Sequence, residues 1–470
     1  MKLRLLSAST LVATALLLGA CDMGTAQPTV TPATQTQPTT PAQENPTATT
    51  ATGAPTTIAP TATTATADQP TPTQAAGSAG EPTATQPAAG DGGENDGPLT
   101  LNPVTIGTTD ATRKGVFGEE RSINLPPGFN ISVFAQGISG VRMLEKAPNG
   151  MLYATSPGTG KVYMLPDEDK DGVADEVKTF ADNLAGVHGI AFHDDAIFVA
   201  TEGAIIRLQD TDGDGVADKR DVLASDLPTG GGHSTRTLAF GPDGKLYVSA
   251  GSSCNVCRET NDKRAAILRY SVDGKFEKVY ASGLRNAVGI LFHPITGGLW
   301  ATNNGRDSLG DDIPPETIYN VKEDANYGWP FCYGDRIPDE SQSPPAGFCE
   351  KTGVPAVKMQ AHSAPLGLAF YNGNNFPASY QGDLFVAFHG SWNRSVPTGY
   401  KVVRVRFKDN QPDPSAGDLL VEDFATGWQA NGGVWGRPVD PFMAQDGSLL
   451  LTDDQAGAIY RIYYEVKSTP

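Results

Sequence analysis

The sequence predicts an all-β fold, a six-bladed β-propeller, from the recurrence of one unit along the chain. About six copies of a short apolar strand, a tight turn and a second apolar strand follow each other at intervals of roughly 45 residues. The unit is clearest around Gly241-Pro242-Asp243-Gly244, a turn that precedes the apolar run 246–248. A run of this kind is typical of a strand that is covered on both faces. Four-stranded blades around a central channel have this period, so six blades are expected.

The other copies of the unit place their second strand at the following residues: 151–155, 196–201, 298–302, 383–387 and 449–453. Each is followed by a further short apolar run, such as 161–165 or 458–462. The repeat therefore extends over most of residues 99–470, which argues for one large domain rather than several.

The first 98 residues differ in composition from the rest. An apolar segment at 5–18 is too short for a membrane span and is typical of a secretory signal. It ends Leu18-Gly19-Ala20-Cys21, which resembles a bacterial lipobox, so residues 1–21 are expected to be a lipoprotein signal peptide with Cys21 lipidated. An ordinary cleaved signal with a chance cysteine is the alternative. Residues 22–98 are rich in Thr, Pro, Ala and Gln and are predicted to form a disordered tether, because they cannot bury enough apolar surface.

The charge balance narrows the choice of partner. With 35 Lys+Arg against 53 Asp+Glu, the formal net charge is −18. A protein this acidic is a poor partner for nucleic acid or for an anionic membrane surface. Together with the signal, this predicts an exported domain, attached to the membrane through its lipid anchor and facing the periplasm or the cell exterior.

Four cysteines remain after Cys21, in two local pairs. Because an exported chain with an even number of cysteines favours disulfides, Cys254 is expected to pair with Cys257, and Cys332 with Cys349. The alternative for the first pair is half of a zinc site, although no second pair has metal-ligand spacing.

Two acidic loops, 167–175 and 210–218, carry oxygen ligands at alternate positions with glycine at the sixth. The aspartates concerned are Asp167, Asp169, Asp171, Asp210, Asp212 and Asp214. This spacing is that of a calcium loop, but Lys178 and Asp221 stand where an EF-hand has its glutamate. The prediction is a structural calcium site in each loop, with solvated Asp-Gly hairpin loops as the alternative.

Cationic and polar side chains recur at strand entrances and loop positions of several predicted blades. They are Arg142, His188, His233, Arg285, Asn286, the segment His389 to Arg394, and Arg437. Any one of them alone is more often a loop cap or a salt bridge. In a propeller, however, such positions can meet at one mouth of the channel. Because guanidinium groups pair with carboxylates through two hydrogen bonds, several arginines on an acidic protein indicate a small polyanionic ligand.

Five stretches carry a specific resemblance: GGGHSTRTLAFGPDGKLYVSAG, YASGLRNAVGILFHP, NYGWPFC, HGSWNRSVPTGYKVVRV and WGRPVDPFMAQDGSLLLTDDQAGAIYRIYY. They are similar to the soluble, propeller-type quinoprotein sugar dehydrogenases, above all to the sorbosone dehydrogenase-like branch, over nearly all of 120–465. The resemblance implies a six-bladed propeller that holds pyrroloquinoline quinone (PQQ) and calcium at the channel mouth and oxidises the C1 hydroxyl of aldoses. Electrons would pass to an external quinone or cytochrome, since the chain has no haem attachment motif.

The resemblance also implies roles for individual residues. His233 matches the general base, Arg285 and Asn286 match the pair that contacts the quinone oxygens, and Arg437 matches a carboxylate-binding arginine. Gly305 and Arg306 fall where backbone carbonyls hold the calcium ion, with Asp307 as an additional oxygen ligand. The other cofactor or substrate contacts are expected at Arg142, His188, His389, Asn393 and Arg394.

The chain departs from the soluble glucose dehydrogenases at four positions, occupied here by Leu184, Gly232, Ser252 and Trp435. These differences bear on the choice of sugar more than on cofactor binding. Two other classes of function stay open. One is a metal-dependent propeller lactonase, and the other is a surface-displayed binding propeller that has lost catalysis, for which Ser252 and Trp435 are the supporting features.

Overall fold

The computed structural model describes residues 97–430 and 432–465. The predicted signal peptide, Cys21 and almost all of the tether lie outside these residues. Within the described range, no helix has the length and apolar character needed to cross a membrane. The helical segments found there are single turns of 3-10 helix at Gly115–Phe117, Glu340–Gln342, Cys349–Lys351, Ala378–Tyr380 and Gly417–Leu419.

The strands occur in chain order as three N-terminal strands followed by six blades. Strands β1 (Asn102–Thr105), β2 (Ser122–Leu125) and β3 (Phe129–Gln136) come first. Blade 1 contains β4 (Leu144–Lys146), β5 (Leu152–Ser156), β6 (Lys161–Leu165) and β7 (Lys178–Ala181). Blade 2 contains β8 (Gly189–His193), β9 (Ala196–Ala200), β10 (Ile205–Gln209) and β11 (Lys219–Ala224). Blade 3 contains β12 (Leu238–Phe240), β13 (Leu246–Ala250), β14 (Ala266–Tyr270) and β15 (Phe276–Ser282).

The later blades carry inserted hairpins. Blade 4 contains β16 (Ile290–Phe292), β17 (Leu299–Asn303), β18 (Glu316–Val321), the hairpin β19 (Cys332–Tyr333) and β20 (Ile337–Pro338), and then β21 (Val357–Met359). Blade 5 contains β22 (Pro365–Phe370), β23 (Leu384–Phe388), β24 (Lys401–Val405), the hairpin β25 (Phe407–Lys408) and β26 (Gln411–Pro412), and then β27 (Val421–Thr426). A hairpin of β28 (Gln429–Ala430) and β29 (Gly433–Val434) precedes β30 (Pro438–Met443), β31 (Leu449–Asp453) and β32 (Ala458–Tyr464) of blade 6.

Each blade is an antiparallel sheet whose first strand faces the centre of the ring. The first strands β4, β8, β12, β16, β22 and β30 contact one another in turn, and β30 returns to β4. The ring closes through blade 6, in which the N-terminal strand β3 pairs with β32, with Ile131 opposite Ile462. Strands β2 and β1 extend blade 5 beyond β27. The prediction of an all-β, six-bladed propeller is confirmed.

The second strand of every blade is completely buried, since neighbouring blades cover both of its faces. All residues of β5, β9, β13, β17, β23 and β31 are buried. These are the short apolar runs that the sequence marks. Large side chains such as Trp300 and Phe385 are fully inaccessible there. Burying one such side chain stabilises the fold by about 1.5–3 kcal/mol.

Threonine hydroxyl groups join the blades near the channel. The Thr155 Oγ1 of blade 1 donates to the His188 carbonyl of blade 2 over 2.7 Å. The Thr302 Oγ1 donates in the same way to the Leu366 carbonyl, and the Thr452 Oγ1 to the Arg142 carbonyl, each over 2.7 Å. The backbone at the entrance of three first strands is therefore fixed by the preceding blade.

Candidate active site

Because successive strands of a blade run antiparallel, the candidate site residues lie on one face of the ring. The entrance of a first strand and the exit of the second strand share one edge of the sheet. Arg142, His188, Arg285 and Arg437 precede first strands, and the segment His389 to Arg394 follows a second strand. The structure brings most of these residues into two clusters, one around Asp454 and one around Asp307.

The Asp454 cluster contains three of the predicted residues. Arg437 Nε lies 2.9 Å and Arg142 Nη2 lies 3.1 Å from the Asp454 carboxylate, and His389 Nε2 is 3.1 Å from both of its oxygens. Burial alone would raise the pKa of Asp454, but His389 and the two arginines lower it to about 2. Sequence reasoning missed Asp454. It follows β31 at the position that His389 occupies after β23, so the repeat itself held the signal.

His233 is held by one ring nitrogen. Its Nδ1 lies 2.8 Å from the Ser252 carbonyl oxygen and 3.0 Å from Ser252 Oγ. A carbonyl oxygen only accepts hydrogen bonds, so Nδ1 carries the hydrogen and the neutral ring keeps its lone pair on Nε2. Gly251 makes this close approach feasible, since a Cβ there would lie 2.6 Å from the His233 Cβ and 2.5 Å from Asn286 Oδ1.

Burial and the surrounding positive charge keep His233 neutral. Burial lowers the pKa of His233 to about 4, and the guanidinium groups of Arg285, Arg264 and Arg236 add to the effect. Arg236 and Arg264 are buried and donate to backbone carbonyls of the glycine-rich loop, including that of His233. The structure thus surrounds a neutral imidazole with positive charge.

The second cluster joins Arg285, Asp307 and Asn393. Arg285 Nη2 lies 3.0 Å from Asp307 Oδ2, and Asn393 Nδ2 lies 2.9 Å from Asp307 Oδ1. Asn255, which the sequence did not single out as a site residue, accepts from Arg285 Nε at 2.9 Å through its carbonyl. Asn286 donates to Asn304 Oδ1 over 3.3 Å. Residues predicted from separate blades therefore form one hydrogen-bonded network.

The carbonyls predicted to hold calcium border this network. Gly305 N donates to Glu316 Oε2 over 2.7 Å, and Ala364 N donates to Glu316 Oε1 over 3.2 Å. Burial raises the pKa of Glu316 to about 7 even though these amides oppose the shift. The carbonyl oxygens of Gly305 and Arg306 accept no hydrogen bond from another described residue. The Arg306 guanidinium group binds Asp339 at 2.6 Å.

The remaining predicted contacts differ in their surroundings. His188 is buried, and its Nδ1 lies 3.4 Å from Thr237 Oγ1, while its Nε2 has no partner among the described residues. Burial lowers the pKa of His188 to about 3, with Arg142 and Arg236 adding to the effect. Arg394 donates to the Asp311 carbonyl over 2.6 Å and so fastens its loop to blade 4. Their roles as cofactor contacts stay predictions.

Of the four departures from the glucose dehydrogenases, two border His233. Ser252 binds the imidazole, and Gly232 N donates to the Ser253 carbonyl over 2.7 Å. Leu184 belongs to a hydrophobic core cluster. Trp435 packs edge-on against Phe117, with ring centroids 6.4 Å apart. The last two positions therefore contribute to packing.

Both predicted disulfides are present, Cys254–Cys257 and Cys332–Cys349. For the first pair, the structure favours the disulfide over the zinc alternative.

The acidic loops fold back on their own backbone. Their aspartate oxygens gather within 4.8 Å of one another, in the groups Asp167, Asp169, Asp171 and Asp210, Asp212, Asp214. Asp210 accepts from the amides of Gly213 and Gly215, each over 2.8 Å. Both calcium binding and a solvated hairpin loop agree with this arrangement, so calcium here stays a prediction.

The chain matches known proteins over the propeller. Residues 123–465 match the family model described as TrAA12-like. An uncharacterized protein of Borreliella burgdorferi is 31% identical over 364 residues, which cover 73% of this chain and 91% of that protein. A pyrroloquinoline quinone-dependent pyranose dehydrogenase of Coprinopsis cinerea is 26% identical over 406 residues, covering 72% of this chain and only 54% of that enzyme.

Solved structures share the fold. The calcium structure of a Trichoderma reesei carbohydrate-active enzyme of family AA12 superposes with a TM-score of 0.63 at 21% identity, covering 79% of this chain and 100% of that one. The PQQ-bound aldose sugar dehydrogenase of Streptomyces coelicolor gives a TM-score of 0.54 at 18% identity, covering 73% of this chain and 100% of that one. The resemblance to propeller-type quinoprotein sugar dehydrogenases is confirmed at the level of family and fold.

Proposed function

The chain belongs to the TrAA12-like family, and from that premise we propose that it is a PQQ-dependent dehydrogenase that oxidises the C1 hydroxyl group of aldoses or related sugars. The observation that carries the proposal is the state and the surroundings of the His233 side chain. This side chain is a neutral imidazole, fixed at Nδ1 by Ser252, whose Nε2 has no protein partner among the described residues. It lies beside Asn286, in the positive field of Arg285.

The donors on this face suit an anionic cofactor. Arg142 and Arg437 share the single carboxylate of Asp454, so this cluster retains positive charge for a carboxylate of PQQ. The buried Nε2 of His188 is a further polar group without a protein partner among the described residues. Buried polar atoms are normally hydrogen-bonded, so a ligand atom there would complete the site. When bound, the quinone supplies a two-electron acceptor that the side chains lack.

Calcium fits the carbonyl pair of Gly305 and Arg306, since calcium prefers oxygen ligands and both oxygens are unengaged within the described chain. Asp307 is a weaker candidate as ligand. Its two carboxylate oxygens already accept from Arg285 and Asn393.

His233 is the proposed general base. Its Nε2 accepts the proton of the substrate hydroxyl group, and the Ser252 carbonyl stabilises the resulting imidazolium through Nδ1–H. Arg285 stabilises negative charge that develops on an adjacent oxygen. The pKa of His233 is lowered first by burial and then by the neighbouring guanidinium groups. Anionic groups bound among those guanidinium groups would offset the second of these effects.

The test is dye reduction by the purified chain across a panel of aldoses, with and without PQQ and calcium. We expect activity to require both additions. His233→Ala should lower kcat about 10²- to 10⁴-fold, the usual contribution of a general base, while PQQ still binds. His193→Ala is the matched control, because His193 ends β8 at the opposite edge of its blade. It should leave kcat unchanged.

The same experiment separates the alternatives. A chain that binds no PQQ would be a binding propeller, and the arginine argument would be wrong. Hydrolysis of lactones that needs only a divalent metal ion would indicate a lactonase instead.

The proposal includes the location of the enzyme. Export and lipidation at Cys21 would place the propeller outside the cytoplasmic membrane, where an external quinone or cytochrome reoxidises the cofactor. The signal-like segment 5–18 and the lipobox-like sequence that follows it support this part of the proposal.

A further inference from the structure

The loop 252–257 connects the two halves of the candidate site. Its first residue, Ser252, binds His233 through both its carbonyl and its hydroxyl group. Its central residue, Asn255, binds Arg285 and Asp307. The Cys254–Cys257 disulfide encloses Asn255, and Ser252 Oγ donates to the Cys254 carbonyl over 2.7 Å. The base and the arginine are therefore held by one short, cross-linked segment.

Asn255 uses nearly all of its hydrogen-bonding capacity on this task. Its Oδ1 accepts from Arg285 Nη2 at 3.0 Å and from Asp307 N at 2.8 Å. Its Nδ2 donates to the Asp307 carbonyl over 3.3 Å. Its own carbonyl accepts from Arg285 Nε at 2.9 Å and from Trp329 Nε1 at 3.3 Å. A half-buried loop residue with this many partners fixes other groups in place.

The consequence for Arg285 is a single orientation. A guanidinium group has five N–H donors. Nε and one Nη2 hydrogen go to Asn255, the other Nη2 hydrogen goes to Asp307, and one Nη1 hydrogen reaches the Asn304 carbonyl at 3.5 Å. One Nη1 hydrogen remains for a ligand. Without the Asn255 side chain, the guanidinium group would lose its Nη2 bond to Oδ1 and keep its Nε bond, which goes to the backbone carbonyl.

We propose that the loop 252–257, cross-linked by the Cys254–Cys257 disulfide, positions the active site, and that Asn255 is a positioning residue that sets Arg285 and Asp307 for cofactor binding. The inference rests on the proposed function, because it assumes that Arg285 faces PQQ. It adds a role for the Cys254–Cys257 disulfide, which holds Asn255 at a fixed position relative to Ser252.

The decisive measurement is the Kd for PQQ in calcium buffer, read from the quenching of tryptophan fluorescence in the full chain. Asn255→Ala is expected to weaken binding about 10- to 100-fold, as when an outer partner of a site is removed. The matched control is Asn261→Ala, because Asn261 is exposed in the same connection and its side chain bonds only Lys263 N among the described residues. The control should bind PQQ as the unaltered chain does, and both variants should have similar melting temperatures.

A double-mutant cycle tests whether Asn255 acts through Arg285. Adding Asn255→Ala to Arg285→Ala should change the Kd by less than about threefold, since coupled residues are not additive. An equally large loss in both backgrounds would overturn the positioning role, and so would unchanged binding in Asn255→Ala alone.

The disulfide variant covers the case in which Asn255→Ala does not fold. Cys254→Ser with Cys257→Ser should weaken PQQ binding on the order of tenfold, and unchanged affinity would overturn the proposal. If the unaltered chain binds no PQQ, the proposed function fails and takes this inference with it. If the unaltered chain binds and the variants bind equally well, only this inference fails.

Discussion

Replacing Asp440 with asparagine should stabilise the propeller more strongly as the pH rises. Asp440 lies on β30 in the inner ring and is 5% exposed. Its Oδ2 accepts from Leu144 N over 2.9 Å. Burial raises its pKa to about 8, and the neighbouring Glu145 adds to the shift. An asparagine keeps the acceptor for Leu144 N and cannot ionise.

The sign follows from proton linkage. Below pH 3.8, the ordinary value, the carboxyl is protonated in both the folded and the unfolded chain, so the pH has no effect through this group. Between this value and about pH 8, the unfolded chain ionises while the folded chain does not. The free energy of unfolding therefore falls by about 1.4 kcal/mol per pH unit.

The size of the effect is measurable. The free energy of unfolding of Asp440→Asn should exceed that of the unaltered chain by about 2 kcal/mol at pH 5 and by about 5 kcal/mol at pH 8. A domain of this size has an unfolding entropy of about 0.8 kcal/mol/K, so the gap in melting temperature should widen by roughly 4 to 5 °C.

Thermal unfolding followed by circular dichroism at pH 5, 6, 7 and 8 gives the comparison. Asp195→Asn is the control, because Asp195 is exposed in the turn between β8 and β9. Its melting temperature should follow that of the unaltered chain at every pH. A gap for Asp440→Asn that stays constant from pH 5 to pH 8 would refute the assignment of a protonated carboxyl in the inner ring.

Three further predictions concern the site and the anchor. Arg437→Ala should weaken PQQ binding about 10- to 100-fold through loss of charge-assisted hydrogen bonds to a carboxylate; a fluorescence titration with unchanged Kd would remove Arg437 from the cofactor site. Treatment with EGTA should abolish dye reduction, and added calcium should restore it; full activity after chelation would count against calcium at the Gly305 and Arg306 carbonyls. Cys21→Ser should abolish incorporation of labelled palmitate and release the protein from the membrane fraction. Labelling that persists in this variant would show that the lipobox prediction is wrong.

The inner part of each blade was predictable from local sequence. The second strands are short apolar runs between turns, and burial on both faces leaves this mark in the sequence. No local sequence pattern predicts the pairing of β3 with β32. Ile131 and Ile462 belong to strands at opposite ends of the domain, and a local pattern does not name the partner of a strand.

The positions of most site residues were predictable from the sequence, but several of their contacts were not. The repeat places Arg142, Arg285 and Arg437 at strand entrances, so their position on one face of the ring follows from the fold. Asp454 was missed because a search for cations passes over the carboxylate that joins Arg142 and Arg437. Asn255 was missed because its role depends on contacts with residues from the next blade.

Because β3 completes blade 6 by pairing with β32, a chain that is still being synthesised exposes unpaired strand edges. Strand β3 is among the first parts of the domain to leave the ribosome, yet its partner β32 is among the last. Until β32 arrives, β3 and β31 each present an unpaired edge, which favours aggregation. A product shortened before β32 would keep both edges open, so quality control could recognise an unfinished chain by its exposed strands.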